Sequence, residues 1–533
     1  MILVWLLVIL GVAGALAAWS GRWGRDWPRW IALAGIGADF VLTLQIWLRS
    51  GGGDLQGALQ GHWLREVDWT WIPAFGIRFH LALDGLSLLL LMLTFALGLV
   101  SVLASWRDIR EGVGFFHLNL CWILAGIAGV FLAMDLFLFY FAWELMLVPM
   151  FFLIAIWGHE RRQYAAVKFF LFTQISGLLM LIAILALYFA HYASTGVYTF
   201  EYTELLHTPL SSGAAMWILL GFFAAFAVKL PMFPFHTWLP DAHTEASTAG
   251  SVVLAGLMLK TGAYGLLRFV LPLFPSAARA FAPWAMVLAV IGIIYGGLLA
   301  YAQTDMKRLV AYTSVSHMGF VLLGIFAAVS APPGSGAAQW ALEGVVLEIL
   351  CHGFSTGALF VLAGVLQERM HTREMGRMNG LWAVMPRLSG AGLFFAMAAV
   401  GLPGLGNFVA EFLILVGTWP VSIGLTIAGA IGILVSTFYG IELVQRAFHG
   451  PNRHHWQIPD LLKREALVLV PMMALLLWLG LYPQPVLNTT AAPLARIEQL
   501  TLTVTGTVAA NERSAGARGA ATLGPAPINE RRP

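Results

Sequence analysis

Apolar runs long enough to cross a bilayer recur along almost the whole chain, and that recurrence narrows the fold more than any motif does. A hydrocarbon core about 30 Å thick takes about 20 residues of helix to span. Such runs are expected at 2–19, 29–48, 81–105, 114–133, 134–157, 165–190, 214–238, 248–271, 281–301, 307–328, 338–367, 388–419, 421–446 and 465–486. The expected fold is an all-α polytopic membrane protein with about 14 transmembrane helices. Only 11% of the 533 residues are charged, against about 25% in soluble domains. The opening MILVWLLVILGVAGALAAW has no positive residues ahead of its apolar core, so it is read as a retained first helix rather than a leader. Cys121 and Cys351 both fall in apolar runs without metal-ligand spacing, so neither a disulfide framework nor a cysteine-held cluster is indicated.

The loop charges give an orientation. Loops after odd-numbered helices hold eighteen Lys and Arg residues, among them Arg22, Arg107, Arg161, Lys307, Arg373 and Arg464. Loops after even-numbered helices hold five: Arg49, Arg65, Arg78, Arg268 and Arg279. Positive residues collect on the cytoplasmic side, so both termini are expected in the periplasm. The mixed-charge loop 49–80 is expected to pack on that outer face. The Ala-, Thr- and Gly-rich tail from Ala491 to Pro533 is expected to be mostly disordered.

Two stretches break the apolar pattern at membrane depth. Phe222 to Lys260 carries Lys229 and Lys260 with Pro231, Pro234 and Pro240 between them. A proline removes a backbone donor, and broken backbone inside a membrane must face protein or a wet cavity. The run 388–419 is too long for one simple crossing and contains Gly401, Pro403, Gly404, Gly406 and Asn407, so a second broken helix is expected there. Paired interruptions of this kind point to an inverted-repeat transporter core. The expected layout is helices 1–3 with an outer loop (1–113), a first five-helix repeat (114–271), a second, inverted repeat (279–448), a last helix (449–490) and the tail (491–533). The broken helices are the seventh and twelfth.

Ionisable side chains within the spans are costly and are read first as functional. Glu144 lies mid-span, and Lys229 is its best candidate partner. Burial disfavours a charged ammonium and a nearby carboxylate favours it, so a lysine whose carboxylate moves away can take up and release protons. Lys229 lies near its helix end, where a lysine can instead snorkel to the interface; Lys260 is mid-span. His317 and His352 are central in their spans and suit a proton relay better than a metal site, for which too few ligands assemble. Ser314 and Ser316 stand near His317 and could orient water. Glu348 is four residues before His352, on the same helix face, and is a possible partner for it. Glu411 follows the second break. Asp84, Asp135, Asp241, Glu245 and Asp305 lie near helix ends and read as caps or surface charges, and Glu442 and Arg446 as a structural pair.

Taken together, VKLPMFPFH, HTWLPDAHTEAST, the segment around Lys260, LVAYTSVSHMG, CHGFSTGALF and GLPGLGNFVAEF resemble the antiporter-like membrane subunits of respiratory complex I, the proton-translocating NADH–quinone oxidoreductase. The resemblance covers roughly helices three to fourteen. It implies a charged pair of Glu144 and Lys229, a central relay lysine at Lys260, an axis continued by His317 and His352, and a distal relay residue at Glu411. The L- and N-type members and the Mrp antiporter subunits typically carry lysine at that last position. Two departures stand out: Ser247 replaces a usual proline, and Glu348 is an acid where a neutral residue is expected.

The resemblance implies a proton-moving subunit of a translocase in a bacterial inner (plasma) membrane, beside subunits L and N and other membrane-arm subunits. NAD, FMN, iron–sulfur clusters and quinone would belong to other subunits, since this chain shows no dinucleotide loop or cysteine group. No cofactor, metal or nucleic-acid partner is expected for the chain itself. The alternative is a stand-alone or Mrp-type cation/proton antiporter, whose proton chemistry would be the same.

Overall fold

The computed structural model describes residues 1–50 and 63–501. Among these, thirteen helices are long and apolar enough to cross a membrane. Two shorter apolar helices, Pro386–Val400 and Gly406–Thr418, run in succession. Counted as one interrupted span, they bring the total to fourteen, in the expected order.

The helices sort into inner and outer sets. Thr248–Leu273, Met306–Ser330 and Ala337–Met370 are almost wholly buried by other helices, whereas Ile2–Ser20, Asp26–Ser50 and Lys463–Leu481 bury only about a third of their surface. Apolarity alone does not separate the sets, because lipid and protein interior are equally apolar neighbours. Buried ionisable residues concentrate in the inner set, which carries Lys260, His317, Glu348 and His352, although the outer helix Asp26–Ser50 also buries Asp39.

The seventh span stops at Lys229 and resumes at Trp238. Pro231 has no N–H to continue the ladder. The carbonyls it frees find other donors: Met232 N–H donates to Ala227 O at 2.9 Å, and the Trp238 indole donates to Val228 O at 3.0 Å. The second interruption, between Val400 and Gly406, turns on Gly401 and Gly404 at φ +80° and +95°, a region open to glycine. Its freed carbonyls are taken from the next span, Ile423–Ala447: the Ser436 hydroxyl donates to Val400 O and the Tyr439 hydroxyl to Ala399 O.

Asp84, Asp135 and Asp305 cap helices as expected. Glu442 pairs with Arg446 one turn on. Two loop cations are not surface groups. The Arg268 guanidinium is buried against Asp84 and the Tyr264 hydroxyl, and Lys307 is fully buried.

The outer loop, for which only its packing on the outer face was expected, contains regular structure: Arg65–Ile72 and Ile77–Leu83 form an antiparallel hairpin, with Val67 opposite Leu81 and Trp69 opposite Phe79. Its alternating apolar residues signal a strand, not a helix. The tail is not disordered from residue 491, because residues 484–501 are helical. Val486, Leu494 and Ile497 are buried there, and Thr489 accepts a hydrogen bond from the Trp47 indole. The expectations for 51–62 and 502–533 lie outside the described residues.

Candidate functional site

The fifth span, Leu136–Trp157, places Glu144 at a weak point. Pro149 cannot donate to the Leu145 carbonyl, and the helix is interrupted at Met146. Glu144 is half-buried. Its Oε1 has no hydrogen-bond partner and lies against Gly177, where an added Cβ would come within 2.6 Å of it. Tyr140 and Gln174 flank the carboxyl.

Lys229 is 1% exposed, so it does not snorkel. Its Nζ lies over the rings of Trp143, at 5.0 Å, and Phe169, at 5.8 Å. The fold therefore brings Lys229 to the neighbourhood of Glu144. No N···O contact within 4.0 Å joins them among the described residues; the two groups face each other as charges across a longer gap. Facing indole and phenyl rings take part of the carboxylate's place around the ammonium.

Lys260 sits between two π-turns, Leu254–Met258 and Leu266–Val270. A π-turn shifts the backbone register and leaves a carbonyl free for another donor. Here the lysine fills the vacancy itself, with Nζ 2.6 Å from Ala255 O. The same Nζ is 2.6 Å from His352 Nδ1. An ammonium donates into that nitrogen, so the proton of a neutral His352 sits on Nε2, which has no partner among the described residues.

The His352 and His317 rings stand edge to face in van der Waals contact, centroids 5.4 Å apart. His317 is the junction of the site. Its Nδ1 is 3.1 Å from Glu348 Oε1 and 3.1 Å from Glu411 Oε1, and all three side chains are at most 2% exposed. Its Nε2 is 3.3 Å from the Tyr439 hydroxyl. Glu348 thus pairs across helices with His317 and not, as its spacing allowed, with His352, whose Nδ1 is already held by Lys260. Ser314 and Ser316 do not line this path with free hydroxyls: Ser316 donates to Ile293 O at 2.8 Å and Ser314 lies 3.4 Å from Val310 O. Ser247, the departure from proline, caps its helix by accepting from Gly250 N–H.

Some groups near the line were not singled out by sequence. Lys307 Nζ lies 3.0 Å from Ala246 O and 3.4 Å from His159 Nε2. His159, in the loop after the fifth span, is pushed down to about 3, by burial first and then by Lys307 and Arg373. It faces a polar cavity of about 410 Å³ lined also by Arg107, Asp108, Glu368 and His371, on the Arg-rich side of the molecule. His243 lies behind with both ring nitrogens unpartnered, its ring stacked 4.5 Å from that of Phe360. His243 was visible in HTWLPDAHTEAST; Lys307 had only its loop position, which read as surface.

A line of buried ionisable groups between two interrupted helices is also how known proteins of one family can be compared with this one. A chain from Escherichia coli (strain K12), NADH-quinone oxidoreductase subunit M, is 52% identical over 507 residues, covering 94% of this chain and 98% of that one. The chain belongs to the subunit M family of NADH-quinone oxidoreductase. The Pseudomonas aeruginosa subunit M is also 52% identical over 507 residues, with the same coverage of both chains. A family model described as NADH:quinone oxidoreductase/Mrp antiporter, TM, matches residues 133–437. Among solved structures, a chain of respiratory complex I from Thermus thermophilus with bound NADH superposes with a TM-score of 0.81 at 30% identity, over 94% of this chain and 99% of that one. A chain of the Mrp complex from Dietzia sp. DQ12-45-1b superposes at 0.78 with 20% identity, covering 94% and 98%, a likeness of fold alone. The chain is a multi-span membrane protein of this family.

Proposed function

We propose that this chain is a proton-translocating subunit of the membrane arm of NADH–quinone oxidoreductase, and that a proton crosses it through Lys260, His352, His317 and Glu411. The observation that carries the reading is the direct contact of Lys260 with His352 at 2.6 Å, continued by His317 against Glu411 at 3.1 Å, all buried. Groups at hydrogen-bond distance exchange protons; the two histidine rings touch edge to face, so the step between them needs a ring to turn and bring two nitrogens together.

Glu144 and Lys229 set the direction. Their charges couple through space, and the coupling grows as they approach: a unit pair at 4 Å is worth about 4 kcal/mol at an effective dielectric near 20. Bringing Glu144 to Lys229 holds charge there; separating them releases it and drives the next step at Lys260. The proton enters from the Arg-rich cytoplasmic side and leaves by Glu411. Two five-helix halves, 114–271 and 279–448, inverted with respect to each other, supply the two interrupted helices. Both termini face the periplasm, subunits L and N are neighbours in the bacterial inner membrane, and NAD, FMN, iron–sulfur clusters and quinone are handled by other subunits.

The test is complementation of membranes that lack the chain. Restoring it should restore NADH-driven acidification of inverted vesicles, and the tagged chain should co-purify with subunits carrying iron–sulfur signals. Cation/proton exchange without NADH, from a chain purified without such subunits, would replace this reading by the antiporter one.

A further inference from the structure

We propose that His317, Glu348 and Glu411 form a site for one divalent transition-metal ion, best fitted by Zn²⁺, whose binding blocks the proposed proton line. The block rests on the proposed function; the site does not.

One ligand atom from each residue lies within 4.8 Å of the others, and the two nitrogen-to-oxygen separations are 3.1 Å. Zinc held about 2.0–2.2 Å from nitrogen and oxygen ligands at tetrahedral angles sets them about 3.3 Å apart, close to both nitrogen-to-oxygen separations. The fourth position is open to a second carboxylate oxygen or water. An imidazole ligand favours zinc and its neighbours over Mg²⁺ or Ca²⁺, which take shells of oxygen.

The hydrogen bonding is that of a site arranged to receive a cation. His317 Nδ1, both Glu348 oxygens and Glu411 Oε2 have no aligned hydrogen-bond partner among the described residues, although the side chains are 0–2% exposed. The Tyr439 oxygen is 3.3 Å from His317 Nε2 and 3.4 Å from Ala399 O. A hydroxyl has one proton. Donated to Ala399 O, it leaves the tyrosine oxygen to accept Nε2–H from His317. That fixes the tautomer whose bare Nδ1 lone pair faces two carboxylates, an arrangement that needs a proton or a metal ion between them. Ligating histidines are held in this way by a bond at the other nitrogen. A dication, two carboxylates and a neutral imidazole sum to zero charge, so the occupied site leaves no charge uncompensated in the membrane. Where a proton occupies the place between Nδ1 and the carboxylates instead, it is released as the metal binds.

Glu348 is decisive, because it is the acid not expected at its position; without it two ligands remain. The site adjoins the second interruption: Glu411 Oε2 lies against Gly401.

The assembled complex, stripped with a chelator, is titrated with Zn²⁺, and bound zinc per complex is measured for wild type and Glu348→Gln. Wild type should hold one more tightly bound zinc, with an absorption edge showing nitrogen and oxygen ligands and no sulfur. Zinc should inhibit NADH-driven pumping of wild type at a concentration ~10-fold or more below that needed for the variant. Equal zinc content in the two proteins overturns the site. An extra zinc in wild type with unchanged pumping keeps the site and overturns the block, and with it the proton route through His317. Should Glu348→Gln fail to assemble, Glu411→Gln serves for the zinc content alone, because the proposed proton route ends at Glu411.

Discussion

The two ends of the buried line are built in opposite ways. At the Glu144 end the carboxyl is half-buried, on a helix loosened by Pro149, and Lys229 faces aromatic rings without a direct ion pair. At the Glu411 end two carboxylates converge at 3.1 Å on one imidazole nitrogen, sealed from solvent. A pair held apart has an adjustable coupling, because the energy changes with distance. A cluster in contact has little distance left to change, and responds by moving a proton. In the proposed route, the difference fits control at the first end and proton holding at the second.

Breaking the tight end should have the largest effect. His317→Phe leaves Glu348 and Glu411 side by side with no base between them, and pumping by the assembled complex is expected to fall by about 100-fold. Retention of most of the pumping rate would show that the two carboxylates pass the proton without the imidazole. At the loose end, Glu144→Gln removes one coupled charge and keeps the shape; a loss of about tenfold is expected, the equivalent of ~1.4 kcal/mol. If it matches the His317 loss, the two ends are not different in kind.

Gly177→Ala sharpens the contrast by steric means. Its new methyl meets the Glu144 carboxyl at 2.6 Å, and the side chain must turn away. A loss of a few-fold is expected, because displacing a charge without removing it should cost less than the ~1.4 kcal/mol above. In the Glu144→Gln background the same glycine change should have little further effect, since the charge it displaces is gone. Additive losses in the double variant would mean that Gly177 matters for packing only.

The smallest effect lies at the outer hairpin. His80 sits between Glu201, at 2.8 Å, and Glu66, at 2.9 Å. Burial pulls the imidazole down, but the hydrogen bond and charge of Glu201, then Glu66, outweigh it and raise it above 6.5. The sign follows: the folded state binds the proton more tightly than the unfolded one. The stabilisation is fully present below pH 6.5 and is lost as pH rises through the raised value. Hydrogen exchange across Arg65–Leu83, corrected for intrinsic rates, should accelerate on going from pH 6 to pH 9 in wild type but not in His80→Gln.

Much of this was legible in the sequence because a bilayer punishes exceptions. An ionisable residue in an apolar run has few innocuous explanations, so Lys260, His317, His352 and Glu411 stood out, and prolines and glycines marked both interruptions. Contacts across helices were less legible. Spacing on one helix allowed Glu348 to pair with His352, but nothing in that helix told of Lys260 occupying His352 Nδ1, or of His317 approaching from Met306–Ser330. Nor could it tell how far Glu144 stands from Lys229, a distance set by the packing of three spans. Lys307 was hidden for the opposite reason: a lysine in a loop has an ordinary explanation, and its burial beside His159 depends on tertiary structure.

The central claim is that the proton passes through Lys260. The direct measurement is NADH-driven pumping by the assembled complex in inverted vesicles, with Lys260→Ala against wild type after assembly is verified. The account predicts that pumping and coupled NADH oxidation collapse while the complex stays intact. Unchanged pumping in an intact complex would contradict it and leave the buried lysine as structure.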